Sequence, residues 1–321
     1  MNFPSPNLLC HFARMSSCRT QSNLGEGKGG DAKGPRARVS KTLKMDEVAT
    51  RLAQQWNFAP TVELPGGHCS RVYADAERVL KVPFQGEEMT SGFWAMMAFD
   101  GEFKPEIYAS DPGTGSLLMQ RANPGRQLHE TGLSEAAQLV HWGEIVQSWR
   151  ATPGDQFMTL EAFSNPNDTL ARHLLETTKT TVAMHGDLHH GNILSHGKRW
   201  LCIDAKGVVG DPAFEGAAMV RNPLPEVGDH SATRMVQRVH DVANVLDVDP
   251  FRVWGWSIGM LRDGGDPELG PWRNVLDRLY ECAPTFGAEE WVNPICREDV
   301  SKPGTGVSLW REEAVSPTHK E

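Results

Sequence analysis

A chain of 321 residues is long enough for one large domain or two lobes with separate cores, and its 39% hydrophobic and 23% charged residues are ordinary for a globular protein. The longest apolar run, Phe93 to Phe99, falls well short of the ~20 residues that span a bilayer, and the N-terminus carries no continuous apolar segment of the signal-peptide kind. The net charge of −9 is uneven: residues 1–44 hold eight Lys/Arg against Glu26 and Asp31, a net of +6, which leaves −15 on the remainder, a body that repels nucleic-acid phosphates and attracts cationic ligands.

In chain order, residues 1–44 are rich in Gly, Ser and Lys/Arg without periodicity and read as a disordered basic head. Gly25 to Gly30 matches GxGxxG, but no strand precedes it and no amphipathic helix follows, so a dinucleotide reading fails on context. A transit peptide and an upstream start ahead of Met45 both suit this composition. Asp46 to Trp56 reads as a helix. Short β-like runs follow at Thr61–Leu64, Arg71–Ala74 and Arg78–Val82, the last carrying Lys81, with a glycine turn at Gly66-Gly67. Glu87 to Phe99 has helical character, and strands are expected at Glu106–Ala109 and Ser116–Arg121. Pro124-Gly125 then breaks the chain, and strands become scarce.

The second part reads as mostly helical, with helices at Ser134–Trp149, Asp168–Thr177 and Ser231–Leu246. The last places Met235, Val236, Val239, Val242, Ala243 and Leu246 on one face. Asp249-Pro250 opens a further helix that Gly264-Gly265 ends, and residues 184–205 form a β-rich island. The expected organisation is a basic head (1–44), a small nucleotide-binding α+β lobe (45–122), a larger helical lobe (123–286) and a polar tail (287–321). Six scattered cysteines with no CxxC suggest neither zinc nor disulfides. A cytoplasmic protein, a monomer or weak dimer without nucleic-acid or membrane partners, is the expectation.

The chemistry concentrates in His185-Gly186-Asp187-Leu188-His189-His190-Gly191-Asn192, followed by Trp200-Leu201-Cys202-Ile203-Asp204. A carboxylate, a carboxamide five residues later and a second carboxylate ending an apolar strand are the components of kinase-type phosphoryl transfer. Asp187 can deprotonate a hydroxyl, while Asn192 and Asp204 can hold Mg²⁺ against ATP phosphates. The Asp-to-Asn spacing alone is better explained by turn formation, since both residues favour turns. The hairpin distance to Asp204, and Lys81 in an alternating strand of the other lobe, make it a composite signal.

Other candidates are weaker. Gly66, Gly67 and Ser70 in the turn Pro65–Ser70 can cover phosphates with backbone N–H groups or form an ordinary hairpin turn. Glu87 and Glu88 can pair with Lys81, Glu88 being preferred; otherwise they are a solvated helix start. His185 reads as a brace for the loop, and His189 and His190 as outlying residues. Neither HExxH nor GxxxxGK[ST] occurs. Trp254 and Trp256 read as core residues, with a substrate-facing role as the alternative.

The run from His185 to Leu194, then Ile203-Asp204-Ala205-Lys206-Gly207-Val208-Val209-Gly210-Asp211-Pro212-Ala213-Phe214-Glu215 and Arg221-Asn222-Pro223, resembles the aminoglycoside/hydroxyurea antibiotic resistance kinases. The HGDxHxxN part is shared with choline, homoserine and fructosamine kinases, whereas the extension is more specific. The resemblance covers about 46–285. It implies an α+β, two-lobed protein-kinase-like fold with ATP between the lobes and a hinge from Met119 to Ala122. It also implies Asp187 as base, Asn192 and Asp204 as metal ligands, Lys81 on phosphate, and Asp211 stabilising the loop after Asp204. The acceptor it implies is the hydroxyl of a cationic small molecule, streptomycin first, with choline-, homoserine- or sugar-type substrates and a pseudokinase binding module as alternatives. The chain departs from the pattern at Ser91-Gly92, where relatives often carry Glu-Gly.

Overall fold

The computed structural model describes residues 43–64, 69–84, 89–149, 151, 154–165, 168–223, 228–262 and 272–291. The basic head with its GxGxxG match, the Gly66-Gly67 turn, Glu87 and Glu88, the Gly264-Gly265 stop and the tail beyond 291 lie outside the described residues.

Helix α1 (Glu47–Gln55) starts where Asp46 Oδ1 accepts the Ala49 N–H at 2.7 Å. Strands β1 (Val62–Leu64), β2 (Ser70–Ala74) and β3 (Arg78–Pro83) precede α2 (Ser91–Ala98), β4 (Ile107–Asp111) and β5 (Ser116–Gln120). The five strands form an antiparallel sheet in the order β1-β2-β3-β5-β4. Alternation along the strands divides their side chains between two cores. Tyr73, Leu80, Val82 and Leu118 pack under α1 with Ala49 and Leu52, while Leu117 and Met119 join the main core with Phe93 and Met96 of α2.

Beyond the sheet come β6 (Pro124–Gln127), α3 (Glu135–Ser148), β7 (Met158–Thr159), α4 (Leu160–Phe163), α5 (Thr169–Glu176), β8 (Val182–Met184), β9 (Ile193–His196), β10 (Arg199–Cys202) and β11 (Val208–Gly210). Helices α6 (Ala213–Arg221), α7 (Ala232–Leu246), α8 (Pro250–Arg262) and α9 (Trp272–Glu281) complete the described chain. Every residue of α6 is buried, so it is the axis around which the helical part packs. The β9–β10 hairpin pairs with β6, and β11 lies between β7 and β8.

Two expectations are corrected. Residues 124–127 are a strand where the sequence predicted a break: β6 opens on Pro124 and pairs with β9 as an edge strand, a place that tolerates proline. The second described helix begins at Ser91 rather than Glu87.

Candidate active site

Strand β3 alternates so that Leu80 and Val82 face α1 while Lys81 lies between them in sequence on the opposite side. The Lys81 ammonium meets Asp204 there, Nζ to Oδ1, at 2.6 Å. Asp204 follows β10 and takes a left-handed backbone (φ 62°), a conformation asparagine and aspartate accept more readily than other side chains. Burial works against its negative charge, but Lys81 leads the groups that oppose it, and together they hold the carboxyl below its ordinary pKa. Among the described residues Lys81 pairs with Asp204; Glu88, the sequence-based choice, lies outside the described residues.

The loop after Asp204 is pressed against α2. Ser91 Oγ donates to the Lys206 carbonyl at 2.5 Å, and a Cβ on Gly92 would stand 2.9 Å from the Ala205 carbonyl oxygen. Gly207, at φ 71°, is equally confined by the Ser91 carbonyl, 2.7 Å from where its Cβ would be. The Ser91-Gly92 departure is therefore a docking contact: a small pair brings the start of α2 onto the segment that carries Asp204.

Strand β8 delivers the second half of the site. His185 Nε2 donates to the Ile203 carbonyl at 2.9 Å and its Nδ1 accepts the Asp187 N–H at 3.3 Å, so one neutral imidazole ties the Asp187 loop to the Asp204 strand. Burial pushes its pKa down to about 4. The Lys206 N–H donates to the His185 carbonyl at 2.7 Å, and Trp142 Nε1 donates to the Leu188 carbonyl at 2.9 Å. Asn192 closes the unit: its Nδ2 donates to the Asp187 carbonyl at 2.9 Å, and its own carbonyl accepts the Ile203 N–H at 3.0 Å.

Asp187 itself is buried, and burial pushes its carboxyl up to about 7 against the pull of the Arg221 guanidinium, with Asp204 and Glu215 adding to the push. That value suits a base working near neutral pH. Arg221, at the end of α6 and over the Trp272 ring, is a contributor that sequence reasoning did not single out; its only signal was the Arg-Asn-Pro motif.

The donor chemistry fits a hard divalent cation. Because Asn192 spends its amide N–H on the Asp187 carbonyl, its Oδ1 is left as an acceptor, and Lys81 engages only Oδ1 of Asp204. Magnesium commonly takes one or two such protein oxygens, with water and phosphate as the rest. Among the described residues no cluster of three His, Cys, Asp or Glu side chains could hold a metal ion.

The remaining sequence candidates divide. Ser70 is buried at the start of β2, opposite Pro83. Met119 is buried in the main core. The Gln120 and Arg121 amides already donate to the Glu106 and Glu77 carbonyls at 2.8 and 2.7 Å, whereas Ala122 follows β5 with its side chain half-buried. Trp254 and Trp256 are core residues, as expected, with their indole N–H groups on the Leu279 carbonyl and Asp211 Oδ2. Asp211 Oδ1 accepts the Ala213 N–H at 3.1 Å at the start of α6, while Oδ2 takes Arg252 Nε at 2.8 Å as well as Trp256. It binds α6 to α8 and touches no part of the Lys81–Asp187 region.

Glu215, on the first turn of α6, accepts the Gly186 N–H at 3.1 Å on Oε2, while its Oε1 is buried without a partner. Burial pushes its pKa up to about 7. The folded protein therefore keeps a proton that the unfolded chain releases from the ordinary carboxyl range upward, so this group costs stability as pH rises toward 7. Glu215→Gln should gain on the parent by about 1–3 kcal/mol between about pH 5 and about pH 8, as read by urea denaturation. An unchanged difference at the two pH values contradicts this.

The chain's sequence matches the family model described as aminoglycoside/hydroxyurea antibiotic resistance kinase over residues 55–263. It is 27% identical over 232 residues to a streptomycin 3''-kinase from Klebsiella pneumoniae, covering 64% of this chain and 86% of the relative. Over 212 residues it is 31% identical to a hydroxyurea phosphotransferase from Kitasatospora aureofaciens, covering 57% and 59%. Among solved structures, aminoglycoside phosphotransferase APH(4)-Ia is similar with a TM-score of 0.49 at 15% identity, covering 75% of this chain and 98% of that one. The family match and the kinase and phosphotransferase relatives make this chain a phosphotransferase acting on small molecules. The chain belongs to the aminoglycoside/hydroxyurea antibiotic resistance kinase family.

Proposed function

We propose that this enzyme moves the γ-phosphoryl group of ATP to a hydroxyl of a cationic aminoglycoside, with streptomycin the leading acceptor. The observation that carries the reading is the 2.6 Å contact of Lys81 with Asp204, which joins the sheet to the loop pair that His185 and Asn192 lock together. Residues 45–122 would hold the nucleotide, with the Ala122 backbone at the adenine edge and Lys81 on phosphate. Residues 123–286 would hold the acceptor. Asn192 and Asp204 would hold Mg²⁺, which when bound offsets phosphate charge. Asp187 takes the proton of the acceptor hydroxyl as its oxygen bonds to phosphorus. Three streptomycin-kinase relatives and the net charge of −15 outside the basic head support a cationic sugar.

The test is an ATP-consumption screen of the full chain against streptomycin, other aminoglycosides, hydroxyurea, choline, amino alcohols and sugars, with mass detection of the product. Phosphorylated streptomycin, loss of turnover in EDTA and its return with Mg²⁺ are expected. Phosphorylated choline or sugar alone moves the enzyme to a housekeeping role. No phosphorylated product from any hydroxyl sinks the reading.

A further inference from the structure

His189 lies two residues beyond Asp187, and sequence reasoning assigned it no role. Its ring is locked by its own backbone neighbourhood. Nδ1 accepts the Gly191 N–H at 3.0 Å, so that nitrogen carries a lone pair, and in the neutral ring the proton sits on Nε2. The fit at Gly191 is close: a Cβ there would come within 2.8 Å of His189 Cε1 and displace the ring.

This lock aims a hydrogen-bond donor at the base. His189 Nε2 stands 3.9 Å from Asp187 Oδ1, and its side chain is 23% exposed where that of Asp187 is 7% exposed. The gap is too long for a direct hydrogen bond and too short for two laid end to end. One oxygen set to the side of that line can reach both atoms at hydrogen-bonding distance. A hydroxyl oxygen suits the pair, since it accepts from one partner while donating to the other.

We propose that His189 donates its Nε2–H to the acceptor oxygen while Asp187 receives that oxygen's proton, so that the two side chains together hold the hydroxyl for transfer. This deepens the hydroxyl-kinase reading above and rests on it. The acceptor O–H bond breaks and its proton passes to the Asp187 carboxylate. The oxygen forms its new bond to the γ-phosphorus while the bond from that phosphorus to the β–γ bridging oxygen breaks, and ADP leaves with that electron pair. His189 keeps its proton throughout and fixes which lone pair faces phosphorus.

The competing role is structural, a cap for the turn His190–Asn192. His189→Asn separates the two, because asparagine caps such turns well yet is too short to reach an oxygen held on Asp187. With streptomycin as the probe, His189→Asn should lower kcat about 10- to 100-fold, the worth of one hydrogen bond to a charge-developing group. ATP-analogue affinity by calorimetry should stay unchanged. Gly191→Ala, which pushes the ring aside, should lower kcat in the same way. Independently of turnover, ¹⁵N spectra of histidine-labelled full chain without ligands should show His189 as the Nε2–H tautomer, assigned by its loss in His189→Asn. Parental kcat in His189→Asn, or an Nδ1–H or doubly protonated ring, overturns the proposal while leaving the kinase reading intact. If the parent phosphorylates no hydroxyl in the screen above, that reading fails and the role of His189 fails with it.

Discussion

Asp187→Asn should lower kcat by about 10²- to 10⁴-fold, the usual contribution of a positioned base, while ATP-analogue affinity changes by no more than a few-fold. The geometry separates the two effects. The backbone contacts that hold the loop, from His185 and Asn192 to the Asp187 main chain, survive the substitution. Lys81 and Asp204 meet each other without the Asp187 side chain. Burial raises the Asp187 carboxyl to about 7, and only its ionised form can take a proton, so under the proposed role kcat/KM for the acceptor should fall as pH drops below about 7. That acidic limb should be missing from the residual activity of Asp187→Asn. Steady-state kinetics from about pH 5.5 to about pH 8.5, with calorimetric nucleotide binding, decide it. Turnover at the parental rate would remove Asp187 from the chemistry.

Asp211→Ala should act on stability. Its side chain is 4% exposed and meets an Arg252 guanidinium that is 16% exposed, with the Trp256 indole on the same oxygen. Truncation leaves a mostly buried guanidinium without its carboxylate, an indole N–H without a partner and α6 without the side-chain contact at its start. Removing one member of a buried ion pair costs about 3–5 kcal/mol. Urea denaturation should show a loss of that size, and Asp211→Asn a smaller one, since the amide oxygen can still accept from Trp256 or Ala213. Because Asp211 touches neither the Lys81–Asp204 contact nor Asp187, the folded fraction should keep its affinity for an ATP analogue. A loss under about 1 kcal/mol would mean that the pair contributes no more than a surface ion pair.

Much of this was legible from residue order. Helix limits at Asp46, Ser134 and Asp168 came within a residue or so of the structure because each is an oxygen-bearing cap ahead of a periodic apolar face. The strands of the first sheet followed from short β-favouring runs set off by Gly and Pro turns. Strand β6 was not legible, because its pairing with β9 lies about seventy residues away and its first residue is a proline. The role of Ser91-Gly92 was hidden for a similar reason: a glycine's value as a contact point depends on a carbonyl more than a hundred residues along the chain. Arg221 and His189 were missed because what matters about them is what they face.

The run from His185 to Asp204, with Lys81 and the extended motif through Pro223, pointed in the sequence to phosphoryl transfer and to Asp187, Asn192 and Asp204 as its candidates. That chemistry needs particular oxygen donors at close spacing, and spacing within a hairpin is a local property. Only the tertiary structure decided what each residue is set against. Folding brings Lys81 onto Asp204, makes the tautomers of His185 and His189 a matter of neighbouring backbone groups, and surrounds Asp187 with little water and one guanidinium. Charge state and hydrogen-bond direction depend on desolvation and distance, which residue order does not contain.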